Sequence, residues 1–548
     1  MSTSQVTEWA NKHFLLIDDF SSMRTMLQGM LRTMGVKYVD QAASGSEAVA
    51  MLGRNKYDVV LCDFNLGTGK NGQQVLEEAK VLDLIGPTCI WLMVSAEKSV
   101  ESVLGAAEYQ PDGYLVKPIT ESILLARLAR IWSKKQVFKA IAQAFDAKDY
   151  LKAIRLCDEK LATDKLNALD LMRLKATLLL KSGEPELART VFEQVLAERD
   201  FAWAKTGIAK IRLENGEVAE AKMMLQRVIA ENPHYLEAYD HLAAAQQQLG
   251  EFADAQQVLQ SATKLSPNSV LRQKTLGAIA LRLGNIDVAE KAFRKSVEVG
   301  EHSILRTPDS YLGLARVCGQ KNESKEAFKL LAAVQAKFDT EEVRVRAKIS
   351  EGLVYHESGD YMKARKSGEE LGNLLTQTSE RPDADTCLEM ARLLFAVGVK
   401  DAAVDLLREV VKNNHDNDVL SADVQQIFDN AKMSEEGMEV VDAARQEASE
   451  MMDRGVILWK EGQFAEAVES MRAARKAVPS NARILLNCTQ IMIAYMKKYG
   501  CDPDMLAEAR EVLRRVDKLA PNQRRFAQLM EQLEALSPSS ESSEVGND

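Results

Sequence analysis

A glycine followed five positions later by an alanine recurs through most of this 548-residue chain: Gly183 and Ala188, Gly216 and Ala221, Gly250 and Ala255, Gly284 and Ala289, Gly359 and Ala364, Gly398 and Ala403, Gly462 and Ala467. The steps from Gly216 to Gly250 and from Gly250 to Gly284 are both 34 residues. A period of that length restricts the chain to an array in which each repeat buries its apolar face on its neighbours. The clearest copy carries Tyr239, Leu242 and Ala243 before Gly250, then Phe252, Ala255, Leu259, Ala262 and Pro267 after it. Small residues let two helices approach closely, Gly250 permits the tight turn between them, and Pro233 and Pro267 end the second helix. Looser copies sit at Lys148 and Ala153, at Asn322 and Ala327, and around Ala509.

The spacing then widens, to 38 residues from Ala289 to Ala327 and 39 from Ala364 to Ala403. The stretch Asp416 to Glu447 is long for a connector and is expected to hold a degenerate helix pair. Tyr499 to Pro503 inserts into the last turn, Pro521 closes that repeat, and Asn522 to Leu536 reads as a capping helix. Residues 537–548 are rich in Ser and acid, which predicts a disordered tail.

The first quarter follows another rule. His13 to Ile17 is an apolar run that ends at Asp18 and Asp19. Val59 to Cys62 ends at Asp63, Ile90 to Val94 at Ser95, and Gly113 to Val116 at Lys117 and Pro118. With a further strand starting near Tyr38, these runs predict a five-stranded parallel sheet of doubly wound α/β type. In such a sheet the carboxyl ends of the strands converge on one crevice. Between strands, Met23, Met26, Leu27, Met30 and Leu31 recur at helical spacing. Ser44 reads as an N-cap with Glu47 completing a capping box, ahead of Ala48, Val49 and Leu52. Thr120 reads as the cap of the last helix, Ile123 to Trp132. Little Gly or Pro separates Arg130 from Phe138, so a short or helical junction is expected. Trp9 is expected to pack on this first domain.

Three carboxylates in one crevice repel at a cost of several kcal/mol, in order of magnitude, unless a cation neutralises them. Hard oxygen ligands favour Mg²⁺. With a mobile Lys117 and the Ser95 hydroxyl alongside, the parts suit phosphoryl transfer onto a carboxylate. Each residue alone is a weak signal, and it is their joint order at strand ends that carries weight.

These residues resemble the receiver domain of two-component response regulators. The resemblance implies that Asp63 is the phosphoacceptor, and that Asp19, with Asp18 acting through water and the Asn65 backbone carbonyl, holds Mg²⁺ beside it. It implies that Ser95 and Lys117 are the conserved hydroxyl and lysine, that Pro118 follows a cis bond, and that Tyr114 is the aromatic switch. The proline usual after the phosphoacceptor is absent, and the loop Gly67 to Gly72 is slightly long. The periodic remainder resembles the tetratricopeptide repeat. The implied organisation is a receiver over residues 12–132, an all-α repeat solenoid of about ten helix pairs over 138–536 with a concave groove, and the tail.

A formal charge of −10 argues against a general nucleic-acid binder. Seven cysteines with no CxxC pair fit buried reduced thiols. No signal peptide and no apolar run of membrane-spanning length is read, which predicts a cytoplasmic protein without membrane partners. No paired-ligand histidine spacing and no nucleotide or hydrolase motif is found, so His234, His241, His302, His356 and His415 read as structural or surface residues, and no enzyme is expected beyond the receiver's own phosphorylation and dephosphorylation. The expected function is a phosphorelay adaptor: a histidine kinase, a phosphotransfer protein or a small phosphodonor loads Asp63. The face made by the last strand and its flanking helices then alters how the repeats hold a protein partner. The alternatives are a transcriptional regulator, an enzymatic output such as a phosphatase, and a constitutive scaffold whose receiver is a phosphate sink.

Overall fold

The computed structural model describes residues 9–86, 88–96, 105, 108–377, 382–519 and 524–536. Pro521, the beginning of the capping stretch at Asn522 and the 537–548 tail lie outside the described residues. The chain divides into two compact units between Val317 and Cys318.

The first unit opens with β1 (His13–Ile17), α1 (Ser21–Thr33), β2 (Tyr38–Ala42), α2 (Gly45–Arg54), β3 (Val59–Asp63), α3 (Gly72–Val81), β4 (Ile90–Ser95), β5 (Gly113–Val116) and α4 (Glu121–Asp146). The strands form one sheet in the order β2-β1-β3-β4-β5, every neighbouring pair parallel. β3 is buried along its whole length, which is why its sequence is a continuous apolar run and not an alternation. Side chains still divide by parity. Phe14, Leu16, Leu61 and Leu92 pack with Leu27, Leu31, Leu124 and Leu128 on one face. Leu15, Ile17, Val60, Cys62 and Met93 pack with Leu52, Val75 and Leu76 on the other. Trp9 belongs to the first of these cores, its ring 5.9 Å from Phe14 and 5.5 Å from Trp132.

Local details refine the sequence reading. Met26 is exposed although it keeps the helical spacing of its neighbours. Ser44 caps α2 by accepting from the Glu47 N–H, but the Glu47 carboxylate accepts from the N–H of Ala43, so the box closes one residue early. Thr120 caps α4, which runs unbroken through residues 133–137 into the repeats.

The array in this unit continues with α5 (Tyr150–Thr163), α6 (Ala168–Lys181), α7 (Pro185–Glu198), α8 (Ala202–Glu214), α9 (Val218–Glu231), α10 (Leu236–Gln248), α11 (Phe252–Leu265), α12 (Val270–Arg282) and α13 (Ile286–Gly300). α14 (Pro308–Gln320) spans the boundary. The distal half of α4 is the first repeat helix, since Ile141 and Ala144 pack with Ala153, Cys157 and Leu171. The helix pairs turn at left-handed residues, such as Gly250 at φ 76°. There the Gly250 N–H donates to the Gln247 carbonyl and the Glu251 N–H to the Gln246 carbonyl, the double bond of a Schellman cap. The looser copies keep this geometry without glycine: Lys148 has φ 57° and Asn322 φ 61°.

Close approach also depends on glycines that the periodicity did not single out. A Cβ on Gly207 would lie 2.4 Å from the Phe192 ring, and one on Gly313 2.3 Å from Phe293. The aromatic of one helix therefore seats against bare backbone of the next.

The second unit holds α15 (Ser324–Lys337), α16 (Glu341–Glu357), α17 (Tyr361–Gln377), α18 (Ala384–Ala396), α19 (Lys400–Asn413), α20 (Asp418–Asn430), α21 (Ser434–Lys460), α22 (Phe464–Ala477), α23 (Ala482–Tyr499), α24 (Pro503–Leu519) and α25 (Arg524–Ala535). The stretch 416–447 is a helix pair, α20 and the beginning of α21, turning at Lys432 with φ 60°. α21 is long because it has two partners. Val440, Val441 and Ala444 pack with Val424 and Phe428 of α20, and Met452 packs with Ala467, Val468 and Met471 of α22. His415 is buried here, its Nδ1 2.9 Å from Asn481 Nδ2, a structural placement. Leu529 and Leu533 of α25 close the last core. Among the described residues, no helix is long and apolar enough to cross a membrane.

Candidate functional site

The carboxyl edge of the sheet gathers the polar strand ends. Asp63 is the last residue of β3, Ser95 the last of β4, Asp18 and Asp19 follow β1, and Lys117 follows β5 immediately before a cis Lys117–Pro118 bond. Register accounts for the convergence, since β1, β3 and β4 pair with Ile17 opposite Cys62 and Asp63 opposite Val94.

Lys117 Nζ donates to Asp63 Oδ2 at 2.9 Å and to Asp18 Oδ2 at 3.0 Å. The other oxygen of each acid is held by backbone: Asp63 Oδ1 accepts from the Phe64 N–H at 2.8 Å, and Asp18 Oδ1 from the Phe20 N–H at 2.9 Å. Ser95 is buried at 1 % exposure, and its carbonyl accepts from the Lys117 N–H at 2.8 Å, tying lysine to strand end. Tyr114, opposite Met93, is half-buried against the second core. Asn65 is exposed in the loop that leads from Asp63 to α3.

The electrostatics are strained. Burial and the nearby Asp18 carboxylate push the Asp63 carboxyl above its ordinary value, against the lowering pull of Lys117. Burial pulls the Lys117 ammonium down, and its bonds to Asp63 and Asp18 more than restore it, leaving it raised. One lysine faces three acids. Carboxylate oxygens of Asp18, Asp19 and Asp63 lie within 4.8 Å of one another, and Asp19 Oδ1 is buried with no hydrogen-bond partner. A buried, unsatisfied carboxylate oxygen in an all-oxygen set fits a hard divalent cation such as Mg²⁺.

The loop after Asp63 is shaped around this cluster. Gly67, at φ 70°, places its Cα where a Cβ would sit 3.2 Å from Asp19 Oδ2. Gly72 starts α3 hard against β3: its N–H donates to the Phe64 carbonyl at 2.8 Å, and a Cβ there would lie 2.0 Å from the Asp63 carbonyl oxygen. Asn71 caps this helix with Gln74 in a reciprocal box. The longer loop without proline thus carries its own glycine and cap solution.

Sequence reasoning missed the surroundings. Gln73, Gln74 and Glu77 on α3 are buried, and Gln74 Nε2 donates to the Val299 carbonyl of α13 at 2.8 Å. The face expected to adjoin the repeats is the last strand with its flanking helices; Gly105 and Glu108, between β4 and β5, do meet the array, and α3 on the other side of β4 meets it as well. Arg272 of α12 donates to both Glu108 oxygens at 3.1 and 3.2 Å. Nothing in the local sequence marks these residues, because polar side chains on helices are ordinarily solvated. In the second unit, Cys318, Glu323 and Glu326 form a second grouping of metal-ligating side chain types, which the sequence reading of the repeats did not anticipate.

Residues 14–129 match the family model described as the response regulator receiver domain, and residues 212–279 and 452–487 match models of the tetratricopeptide repeat. The chemotaxis protein CheY-3 of Vibrio cholerae is 32% identical over 124 residues, covering 23% of this chain and 94% of the relative. The chemotaxis protein CheY of Pseudomonas aeruginosa is 30% identical over 120 residues, covering 22% of this chain and 95% of that protein. Among solved structures, the Vibrio cholerae chemotaxis protein CheY4 aligns at 28% identity and a TM-score of 0.20, covering 22% of this chain and 98% of its own. With the five-stranded sheet, the converging strand ends and the repeats in place, the chain belongs to the response-regulator receiver family, its receiver joined to tetratricopeptide repeats.

Proposed function

We propose that this protein is the response regulator of a two-component phosphorelay in which Asp63 accepts a phosphoryl group in a Mg²⁺-dependent reaction and thereby switches protein binding by the repeats. The observation that carries the reading is the Lys117 ammonium shared between Asp63 and Asp18, beside the partnerless oxygen of Asp19. Asp18, Asp19 and Asp63, with the Asn65 carbonyl, would hold the ion. Bound there, it supplies positive charge to offset the acids and the incoming phosphoryl oxygens.

The chain's own groups then have defined tasks. A carboxylate oxygen of Asp63 attacks phosphorus in line with the leaving group. The new bond is P–O to Asp63, the broken one P–N of a phosphohistidine or P–O of a small acyl phosphate, and the leaving group departs with the electron pair. Lys117 exchanges a carboxylate oxygen for a phosphoryl oxygen, and the Ser95 hydroxyl donates to another. Tyr114, on the neighbouring strand, reports the Ser95 shift to the surface. The receiver promotes only its own phosphorylation and dephosphorylation, and the output is binding.

The partners on this reading are a histidine kinase or phosphotransfer protein at the Asp63 edge and a protein held by the repeats. Affinity capture from native lysate, with and without beryllofluoride and Mg²⁺, tests it. A protein held in one state only, and insensitive to beryllofluoride after Asp63→Asn, is the expected outcome. Identical capture in both states would replace the switch by a constitutive scaffold with a phosphate sink.

A further inference from the structure

Arg272 is a nearly buried guanidinium, 4 % exposed, on the edge of the array. Its Nε and Nη2 donate to Asp240 of α10 at 2.8 and 2.7 Å. Its Nη1 and Nη2 also face Glu108 of the receiver as a fork, so one of its two carboxylates is local and the other comes from a residue 164 positions earlier. Next to it, Glu77 of α3 is 2 % exposed and accepts from Tyr109 Oη at 2.6 Å and from Ser303 Oγ in the loop after α13. Gly105 lies between Gln73 and Ser266: a Cβ on it would be 3.2 Å from Gln73 Oε1 and 3.6 Å from Ser266 Oγ.

We propose that this edge, formed by Ser266, Arg272, Val299 and Ser303, is a carboxylate-reading protein-docking surface whose resident ligand is the receiver itself. Its donors are a bidentate arginine and a hydroxyl, both filled by glutamates, which is the chemistry of an acidic protein segment. A partner that presents carboxylates would compete with Glu108 and Glu77 for the same groups.

The link to the phosphoacceptor is one side chain long. Gln74 Oε1 accepts from the Asn71 N–H at 3.0 Å, closing the cap of the Asp63 loop, while Gln74 Nε2 donates to the Val299 carbonyl. Because Gly72 leaves no room between α3 and the Asp63 backbone, a shift of residues 63–71 must carry α3, and with it Gln74 and Glu77. Release of the surface by a loaded Asp63 rests on the function proposed above, whereas the docking surface does not.

The test uses the full chain carrying Gly105→Cys and Ser266→Cys, oxidised mildly, with the cross-link read by peptide mass spectrometry. The bond is expected to form readily in this background, to form about tenfold more slowly after Glu108→Arg, and to recover when Arg272→Glu is added. Glu77→Lys, which changes the receiver side alone, is expected to slow it similarly and covers the case in which Arg272→Glu does not fold. A synthetic peptide of alternating Glu and Ala should slow trapping, and a Lys–Ala peptide of equal length should not. No cross-link in the parent, a rate indifferent to every charge change, or equal effects of the two peptides would overturn the proposal. Trapping that responds to the charge changes but not to beryllofluoride leaves the surface standing and removes the phosphorylation switch. Beryllofluoride-dependent partner capture without any trapping does the reverse.

Discussion

The strand-end site and the repeat array solve opposite problems with polar groups and small residues. At the strand ends, three carboxylates are forced together with one lysine, and one oxygen is left without a partner. In the array, charged groups lie mostly at the surface as scattered pairs, and aromatic side chains such as Phe192 and Phe293 seat on glycine backbone. The site thus holds unfavourable charge that a ligand relieves, whereas the buried Arg272 of the array is matched by Asp240 and Glu108. A receiver gives up stability at the place where it works, as preorganised sites often do. Substitutions in the two regions should therefore differ in sign as well as size.

The largest expected contrast is functional. Asp63→Asn removes the nucleophile and should reduce phosphoryl uptake from acetyl phosphate to background, read by retardation on a phosphate-binding gel, whereas Gly207→Leu in the array should leave uptake intact. The second is structural, in the reverse direction. Gly207→Leu forces a side chain into the Phe192 ring and should cost about 3 kcal/mol in denaturant unfolding. Preserved stability in that variant would mean that the aromatic seat is not the packing determinant.

How far these regions could be read from the sequence follows the same division. Asp18, Asp19, Asp63, Ser95 and Lys117 were legible because each interrupts or ends an apolar run, where a polar or charged group has no packing reason to be. The helix pairs were legible from Gly250 and Ala255 and their copies. Gly207 and Gly313 were not, because a glycine inside a helix carries no turn signal and its use depends on an aromatic in the next helix. Arg272, Glu108 and Glu77 were invisible for another reason: a charged residue on a helix is the default, and burial by a domain over a hundred residues away in the chain leaves no local trace. Lys148, Asn322 and Lys432 show that the left-handed turn is set by the helix pair and only favoured by glycine.

A third expectation separates the site by its sign with pH. Burial raises the Asp63 carboxyl, so the folded chain holds that proton more tightly than the unfolded chain does. Ionised Asp63 therefore works against folding above its unfolded value, and the penalty fades as pH falls toward it. Asp63→Asn should stabilise the metal-free protein at pH 7 by on the order of 1 kcal/mol, a typical scale for one substitution, and by less at pH 5. Mg²⁺ must displace the same proton, so its stabilising effect on the wild type should shrink over that interval as well. Thermal unfolding at the two pH values, with and without Mg²⁺, measures both, and a destabilised Asn variant at pH 7 would contradict the charge-strain account.

The smallest effect is the most direct test of what punctuates the array. Gly250 sits at φ 76° with both Schellman bonds formed, and Asn322 occupies the equivalent place at φ 61° with bonds from the Asn322 N–H to the Gly319 carbonyl and from the Glu323 N–H to the Cys318 carbonyl. The hydrogen bonding is the same, and only the Cβ differs. Gly250→Ala should then cost about 1 kcal/mol, the penalty of a left-handed conformation for a residue with a Cβ. Asn322→Gly should gain a few tenths at most, because asparagine already tolerates this region and glycine adds entropy to the unfolded chain. If both substitutions prove neutral in denaturant unfolding, the turn is dictated wholly by the packing of the two helices, and the glycine periodicity marks the repeats without stabilising them.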